Sequence, residues 1–144
     1  MLIGSYEHAI DAKGRLFMPA KFREELGSSF VLVNGIGKCI FVFSIEGWQN
    51  FSSKFASLPV TNKQAQLFMR KLYASAVERE PDKQGRILLS QGLKDFANLE
   101  KEAVIIGMGE RVEIWSKAEW ENYSNDDNNE YEEALNSLSE LGIW

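Results

Sequence analysis

A chain of 144 residues that is 44% hydrophobic, 26% charged and 12% aromatic has the size and balance of one soluble domain, which excludes two large domains and a disordered chain. The net charge of −5 lacks the overall basic balance of many nucleic-acid binders, but it is unevenly spread: residues 1–116 hold 15 basic and 13 acidic residues, a net +2, whereas residues 117–144 hold one and eight, a net −7. With one cysteine, Cys39, and one histidine, His8, the chain can form neither an internal disulfide nor a zinc site of His/Cys type. The first residues lack a basic stretch followed by an apolar one, and no run of about eighteen apolar residues occurs, so a cytoplasmic location and no membrane partner are expected.

In chain order, Ser5 to Ile10 and Arg15 to Met18 are predicted as short strands joined by Asp11-Ala-Lys-Gly14, with Asp at the first turn position and Gly where positive φ is needed. A tight hairpin is expected. Pro19 suits the start of a short helix over Ala20 to Leu26. Apolar runs at Phe30 to Asn34 and Cys39 to Phe43, separated by Gly35-Ile-Gly37, predict a second hairpin, and Ser44 starts a helix carrying Trp48 and Phe51. From Thr61 to Tyr73, Leu67, Phe68 and Leu72 fall at helical spacing and predict a crossover helix.

The pattern then repeats. Asp82-Lys-Gln-Gly-Arg-Ile-Leu-Leu-Ser90 follows Asp11-Ala-Lys-Gly-Arg-Leu-Phe-Met-Pro19 by 71 positions. Phe22 and Arg23 align with Leu93 and Lys94, and after a one-residue insertion Gly35-Ile-Gly37 aligns with Gly107-Met-Gly109 and Trp48 with Trp120. Ser90 is the expected N-cap of a helix over Gln91 to Ala97, and Ala103 to Ile106 and Arg111 to Trp115 the second copy's second hairpin. Ser116-Lys-Ala-Glu119 reads as a capping box before Trp120 and Tyr123, and the segment from Asp127 as an amphipathic surface or subunit-contact helix bearing Tyr131, Leu135 and Leu138.

Units of about fifty residues cannot cover their own apolar faces, so the two copies must pack together. The expected fold is mainly β with peripheral helices: a pseudo-two-fold, swapped-hairpin β-barrel, forming one interlocked domain from repeat 1 (residues 5–51), a helical linker (52–75), repeat 2 (76–123) and an acidic helical tail (124–144).

The pair Asp11 and Arg15, with Gly14, recurs as Asp82, Arg86 and Gly85 in otherwise divergent halves. Taken locally, Asp stabilises the turn and Arg pairs with it at the strand mouth, an exposed bridge contributing about 0 to 1 kcal/mol. Its symmetric recurrence favours an arginine displayed toward phosphate oxygens or a guanine edge with its orientation fixed by the aspartate; Lys13 and Lys83 lie in the same loops. Asp11 and Asp82 as a proton-sharing hydrolytic dyad is disfavoured, because each has an arginine beside it and the Asp-Thr/Ser-Gly pattern is absent. Cys39 is expected in the core, His8 at a surface or interface, and Trp48, Trp115, Trp120 and Trp144 as packing anchors. No nucleotide-loop or nucleophile-elbow motif occurs, so neither an enzyme nor a cofactor is expected.

Gly4 followed by Asp11-Ala-Lys-Gly-Arg-Leu-Phe-Met-Pro-Ala-Lys-Phe-Arg23, then Asp82-x-x-Gly-Arg86, and Val104-Ile-Ile-Gly107 running into Val112-Glu-Ile-Trp115, resemble the MraZ family from Met1 to about Tyr123. Ser90 departs from the proline found in many relatives. The resemblance implies two tandem SpoVT-AbrB-type units, ring-shaped homo-oligomers and a nucleoid-associated transcriptional regulator that binds short tandem repeats of double-stranded promoter DNA. Its expected target is the division and cell wall gene cluster, including its own promoter. It also makes Asp-x-x-x-Arg the family signature, so Arg15 and Arg86, with Lys13 and Lys83, are the expected DNA-contacting residues; no small-molecule substrate is implied. The alternative is an oligomeric interaction scaffold, in which the hairpin arginines serve subunit contacts.

Overall fold

The structure, a computed structural model, describes residues 1–125 and 128–143; Asp127 and Trp144, which figure in the expectations above, lie outside them. Strands β3 (Phe30–Asn34) and β4 (Cys39–Ser44) are buried at nearly every position, as is β8 (Val112–Ser116). Such runs require a sheet covered on both faces. They form the centre of a six-stranded sheet with β1 (Leu2–Ala9), β7 (Glu102–Gly109) and β5 (Val77–Arg79), in the order β1-β7-β8-β4-β3-β5. A separate two-stranded ribbon pairs β2 (Arg15–Phe17) with β6 (Arg86–Leu88).

One sheet face, with Phe30, Leu32, Ile40, Ile105 and Ile114, packs against Leu16 and Ile87 of the ribbon, Phe22 of helix α1 (Ala20–Leu26) and Leu93 of helix α4 (Gln91–Phe96). The alternate residues Val31, Val33, Phe41 and Phe43 face the other way, onto α2 (Ile45–Ala56) through Trp48, Phe51 and Phe55 and onto α3 (Lys63–Ser75) through Phe68 and Leu72. Trp120 of α5 (Lys117–Ser124) joins this second cluster through Trp115, with ring centroids 5.5 Å apart. Period-2 alternation thus divides one sheet between two cores.

The halves interlock by strand pairing. β1 of the first copy pairs with β7 of the second, β5 of the second with β3 of the first, and β4 and β8 meet at the centre. Exchanging the copies leaves both sheet orders unchanged, the pseudo-two-fold relation that the sequence repeat requires.

Three expectations need correction. First, no closed barrel forms among the described residues: β1 and β5 stand at opposite edges of the sheet, and with both faces apolar the second is covered by helices rather than enclosed by strands. Second, β1 and β2 do not make a tight hairpin. The turn is present, with Gly14 N donating to Asp11 O at 3.0 Å, but β1 pairs with β7 over eight positions, from Leu2 to Ala9. Among the described residues the backbone pairing between the two arms is the single Ile10–Leu16 bridge. Third, Gly107-Met-Gly109 is not a turn as a whole: Gly107 and Met108 continue β7 because β1 runs alongside to Leu2, and only Gly109, at φ +83°, enters the turn in which Met108 N donates to Arg111 O at 2.8 Å. A Cβ on Gly107 would lie 2.4 Å from the backbone of Leu2 and Ile3, so this pairing needs glycine there.

The helix signals are met locally. The Ser44, Ser90 and Ser116 hydroxyls accept from the backbone N–H groups of Gly47, Leu93 and Glu119 at 3.0, 3.3 and 2.9 Å. Asn62 caps α3, and in that helix Leu72 is buried while Leu67 is exposed. Helix α6 (Glu130–Glu140) forms with Tyr131 and Leu138 exposed. Cys39 is fully buried, and burial pushes its thiol up to about 12, so it stays protonated at neutral pH. No described helix is long and apolar enough to cross a membrane.

Candidate nucleic-acid interface

The ribbon brings the two Asp-x-x-Gly-Arg motifs together. Its register sets Arg15 opposite Leu88, Leu16 opposite Ile87 and Phe17 opposite Arg86, and Met18 N to Gly85 O and Leu89 N to Gly14 O, each 2.9 Å, extend it at both ends. Because directly opposed residues share a face, the fully buried Leu16 and Ile87 lock the inner face to the core and leave Arg15, Phe17, Arg86 and Leu88 on the outer one. Leu88 is 46% exposed. Two residues along a strand is about 7 Å, and this offset separates the arginines along the ribbon.

Each arginine is held by its own turn. Asp11 Oδ1 accepts from the backbone N–H groups of Lys13 and Arg15 at 3.0 and 2.9 Å, and Arg15 Nε donates to Oδ2 at 2.7 Å. Asp82 does the same for the N–H groups of Gln84 and Arg86 and for Arg86 Nε, all at 2.9 Å. Arg86 Nη1 also lies 3.7 Å from Asp11 Oδ2, linking the copies across the ribbon. The backbone N–H of Arg15 is the largest influence holding Asp11 below the usual carboxylate range, with its side chain adding to it; the N–H of Arg86 acts likewise on Asp82. Both carboxylates are therefore ionised and occupied, the opposite of a dyad sharing a proton.

With Nε committed to its own aspartate, and Arg86 Nη1 also near Asp11, each guanidinium stays partly exposed, its side chain at 30% for Arg15 and 29% for Arg86. That suits a partner presenting planar acceptors or anionic oxygens. Lys13 and Lys83 are exposed at the turn tips, where Gly14 and Gly85 take φ of +79° and +80°. His8 on β1 places its ring edge-on to Phe17 at 4.9 Å. Among the described residues there is no group of three or more His, Cys, Asp or Glu placed to hold a metal.

The structure adds residues that site reasoning from sequence passed over. Arg23 of α1 donates from Nε to Met18 O at 2.9 Å, its guanidinium is 5.5 Å from the Phe17 ring centroid, and it lies over Gly85 of the other copy. Lys94, its equivalent in α4, lies over Gly14. Their alignment in the repeat was the available signal. Away from the ribbon, Glu113 stands opposite Phe41 in the central strand pair and is buried, accepting from Arg111 Nε and Nη2 at 3.0 and 2.8 Å and from Trp115 Nε1 at 3.0 Å. One glutamate thus breaks the duplication at the middle of the sheet.

Two interlocked copies that together present one ribbon with two carboxylate-held arginines define a duplicated β-ribbon protein. The family model described as MraZ protein, putative antitoxin-like, matches residues 1–71 and 72–138, and the chain belongs to the MraZ family. The second match extends past Tyr123 into α6. Relatives named Transcriptional regulator MraZ include those of Alkaliphilus oremlandii (strain OhILAs) and Thermoanaerobacter sp. (strain X514), each 52% identical over 143 residues, 99% of this chain and 100% of the relative. A third, from Carboxydothermus hydrogenoformans, is 50% identical over 138 residues and 96% of either chain. These names are those of a regulator and not of an enzyme, in agreement with the non-enzymatic expectation.

Proposed function

We propose that this protein is a sequence-specific DNA-binding transcriptional regulator whose reading surface is the outer face of the β2–β6 ribbon. The observation that carries the proposal is the pair of arginines held by Asp11 and Asp82 on the solvent face of a two-stranded ribbon. A ribbon of this width enters the major groove of B-DNA, where an arginine pairs bidentately with guanine O6 and N7. The offset of about 7 Å between the arginines spans about two base-pair steps at 3.4 Å each, so one chain reads a short site. Arg15 and Arg86 contact bases, and Lys13 and Lys83 contact the flanking phosphates.

A short site gives weak binding by one chain. The protein therefore acts as a ring-shaped oligomer on tandem repeats, each bound copy raising the effective concentration of the next. The exposed apolar side chains Tyr131, Leu138, Leu141 and Ile143 in and after α6 support self-association. The target is promoter DNA of the division and cell wall gene cluster, including the protein's own promoter, at the nucleoid in the cytoplasm.

Fluorescence anisotropy tests this with the duplex upstream of the protein's own gene and a shuffled duplex of equal composition. Wild type is expected to prefer the native duplex, and Arg15→Ala/Arg86→Ala to lose that preference while eluting at the wild-type volume in size exclusion. Equal weak binding to both duplexes refutes sequence-specific reading, and loss of assembly in the variant assigns the arginines to subunit contacts.

A further inference from the structure

We propose that Arg23 and Lys94 are DNA-phosphate ligands, each carried by one copy onto the turn of the other, so that both halves of the reading surface are composite. The inference rests on the DNA-binding reading and adds to it two sources of backbone affinity beside Lys13 and Lys83. Asp11 and Asp82 offset the charges of Arg15 and Arg86 within each turn. These arginines are oriented for readout but bring little net positive charge, and attraction to the phosphate backbone must come from cations without a carboxylate.

Arg23 and Lys94 are such cations. Arg23 commits Nε to Met18 O, its Nη groups have no acidic or carbonyl partner among the described residues, and Lys94 has none for its ammonium. Both side chains are half-buried, unlike a freely solvated lysine. Their positions are set by the turn glycines: a Cβ on Gly85 would come within 2.9 Å of Arg23 Cζ, and one on Gly14 within 3.0 Å of Lys94 Nζ. The glycine of Asp-x-x-Gly-Arg thus has two roles, supplying the positive φ and leaving the space in which the other copy's cation lies beside the arginine. The pseudo-two-fold relation places the cations on both turns of one ribbon, as a groove-seated ribbon flanked by two phosphate strands requires.

The test is the salt dependence of binding by full-length Arg23→Gln/Lys94→Gln, which removes both charges and keeps a polar end group at each position. Each lost phosphate contact lowers the magnitude of the log Kobs against log[salt] slope by about 0.9. The variant is expected to lose about 1.8 from that slope and about 60-fold in affinity at 0.1 M salt, equally on native and shuffled duplexes. The charge-preserving Arg23→Lys/Lys94→Arg is expected to keep the wild-type slope. A wild-type slope in the Gln variant overturns the inference, as does a slope lost equally in the charge-preserving variant, which would mark the two residues as structural. Wild type that binds no duplex at any salt overturns the DNA-binding reading itself, and this inference with it.

Discussion

Gly85→Ala provides a stringent test of how the ribbon is built, because the structure sets its cost apart from those of two other glycine substitutions. Gly85 has φ +80°, where a Cβ costs about 1 to 2 kcal/mol, and reduced freedom of the unfolded chain returns about 0.4 to 1 kcal/mol of that. The new Cβ would also meet Arg23 Cζ at 2.9 Å and the Phe17 ring at 3.0 Å. Arg23 is tied to Met18 O, so moving it breaks a hydrogen bond with a net contribution of about 0.5 to 1.5 kcal/mol. The expected destabilisation is about 0.5 to 3 kcal/mol. Gly14 has nearly the same φ, +79°, but its Cβ would meet the tip of the flexible Lys94 side chain, so Gly14→Ala should cost only the torsional part, about 0 to 1.6 kcal/mol, and less than Gly85→Ala. Gly92 lies within α4, is not at positive φ and has open space around it, so Gly92→Ala should stabilise by about 0.5 to 1 kcal/mol. Urea unfolding followed by tryptophan fluorescence gives all three values. A neutral Gly85→Ala, or a Gly14→Ala at least as costly, would show that Arg23 does not occupy the space above the turn.

Leu16 and Ile87 hold the ribbon down as directly opposed, fully buried neighbours. Leu16→Ala should cost about 2 to 5 kcal/mol, and the double variant with Ile87→Ala should depart from additivity by at least about 0.5 kcal/mol; additive costs would mean that the two side chains stabilise the fold separately. The lowered Asp11 and Asp82 carboxyls fix the sign of the acid response. Their contribution to stability is fully present above the unfolded carboxylate value, about 3.9, and is lost as pH falls through the lower folded values. Asp11→Asn/Asp82→Asn should therefore narrow its stability deficit against wild type below about pH 4, as seen in urea titrations from pH 6 to 2.5; a deficit constant across that range contradicts the assignment.

Features fixed by near neighbours in the chain are legible without the fold. The duplication was legible from Asp11 and Asp82 onward, because a turn needing Asp and Gly leaves a fixed local signature. So were the helix starts at Ser44, Ser90 and Ser116, where a hydroxyl three residues before a backbone N–H is a matter of spacing within a few residues. The candidate residues Arg15 and Arg86 were visible for the same reason. Strand partners were not. Two apolar strands joined by a tight turn look like a hairpin whether or not they pair, and only the long-range competition between β7 and β2 for β1 decides it. Periodicity likewise identified apolar runs without saying that both sheet faces would be covered, and so the expected barrel is a six-stranded sheet between two cores. The placing of Arg23 and Lys94 over the opposite copy's glycines was also decided only in three dimensions. Backbone torsions and caps depend on neighbours a few residues apart, whereas strand pairing and the contacts between copies depend on segments as far apart as Leu32 and Val77 or Leu2 and Gly109, which meet only when the core closes.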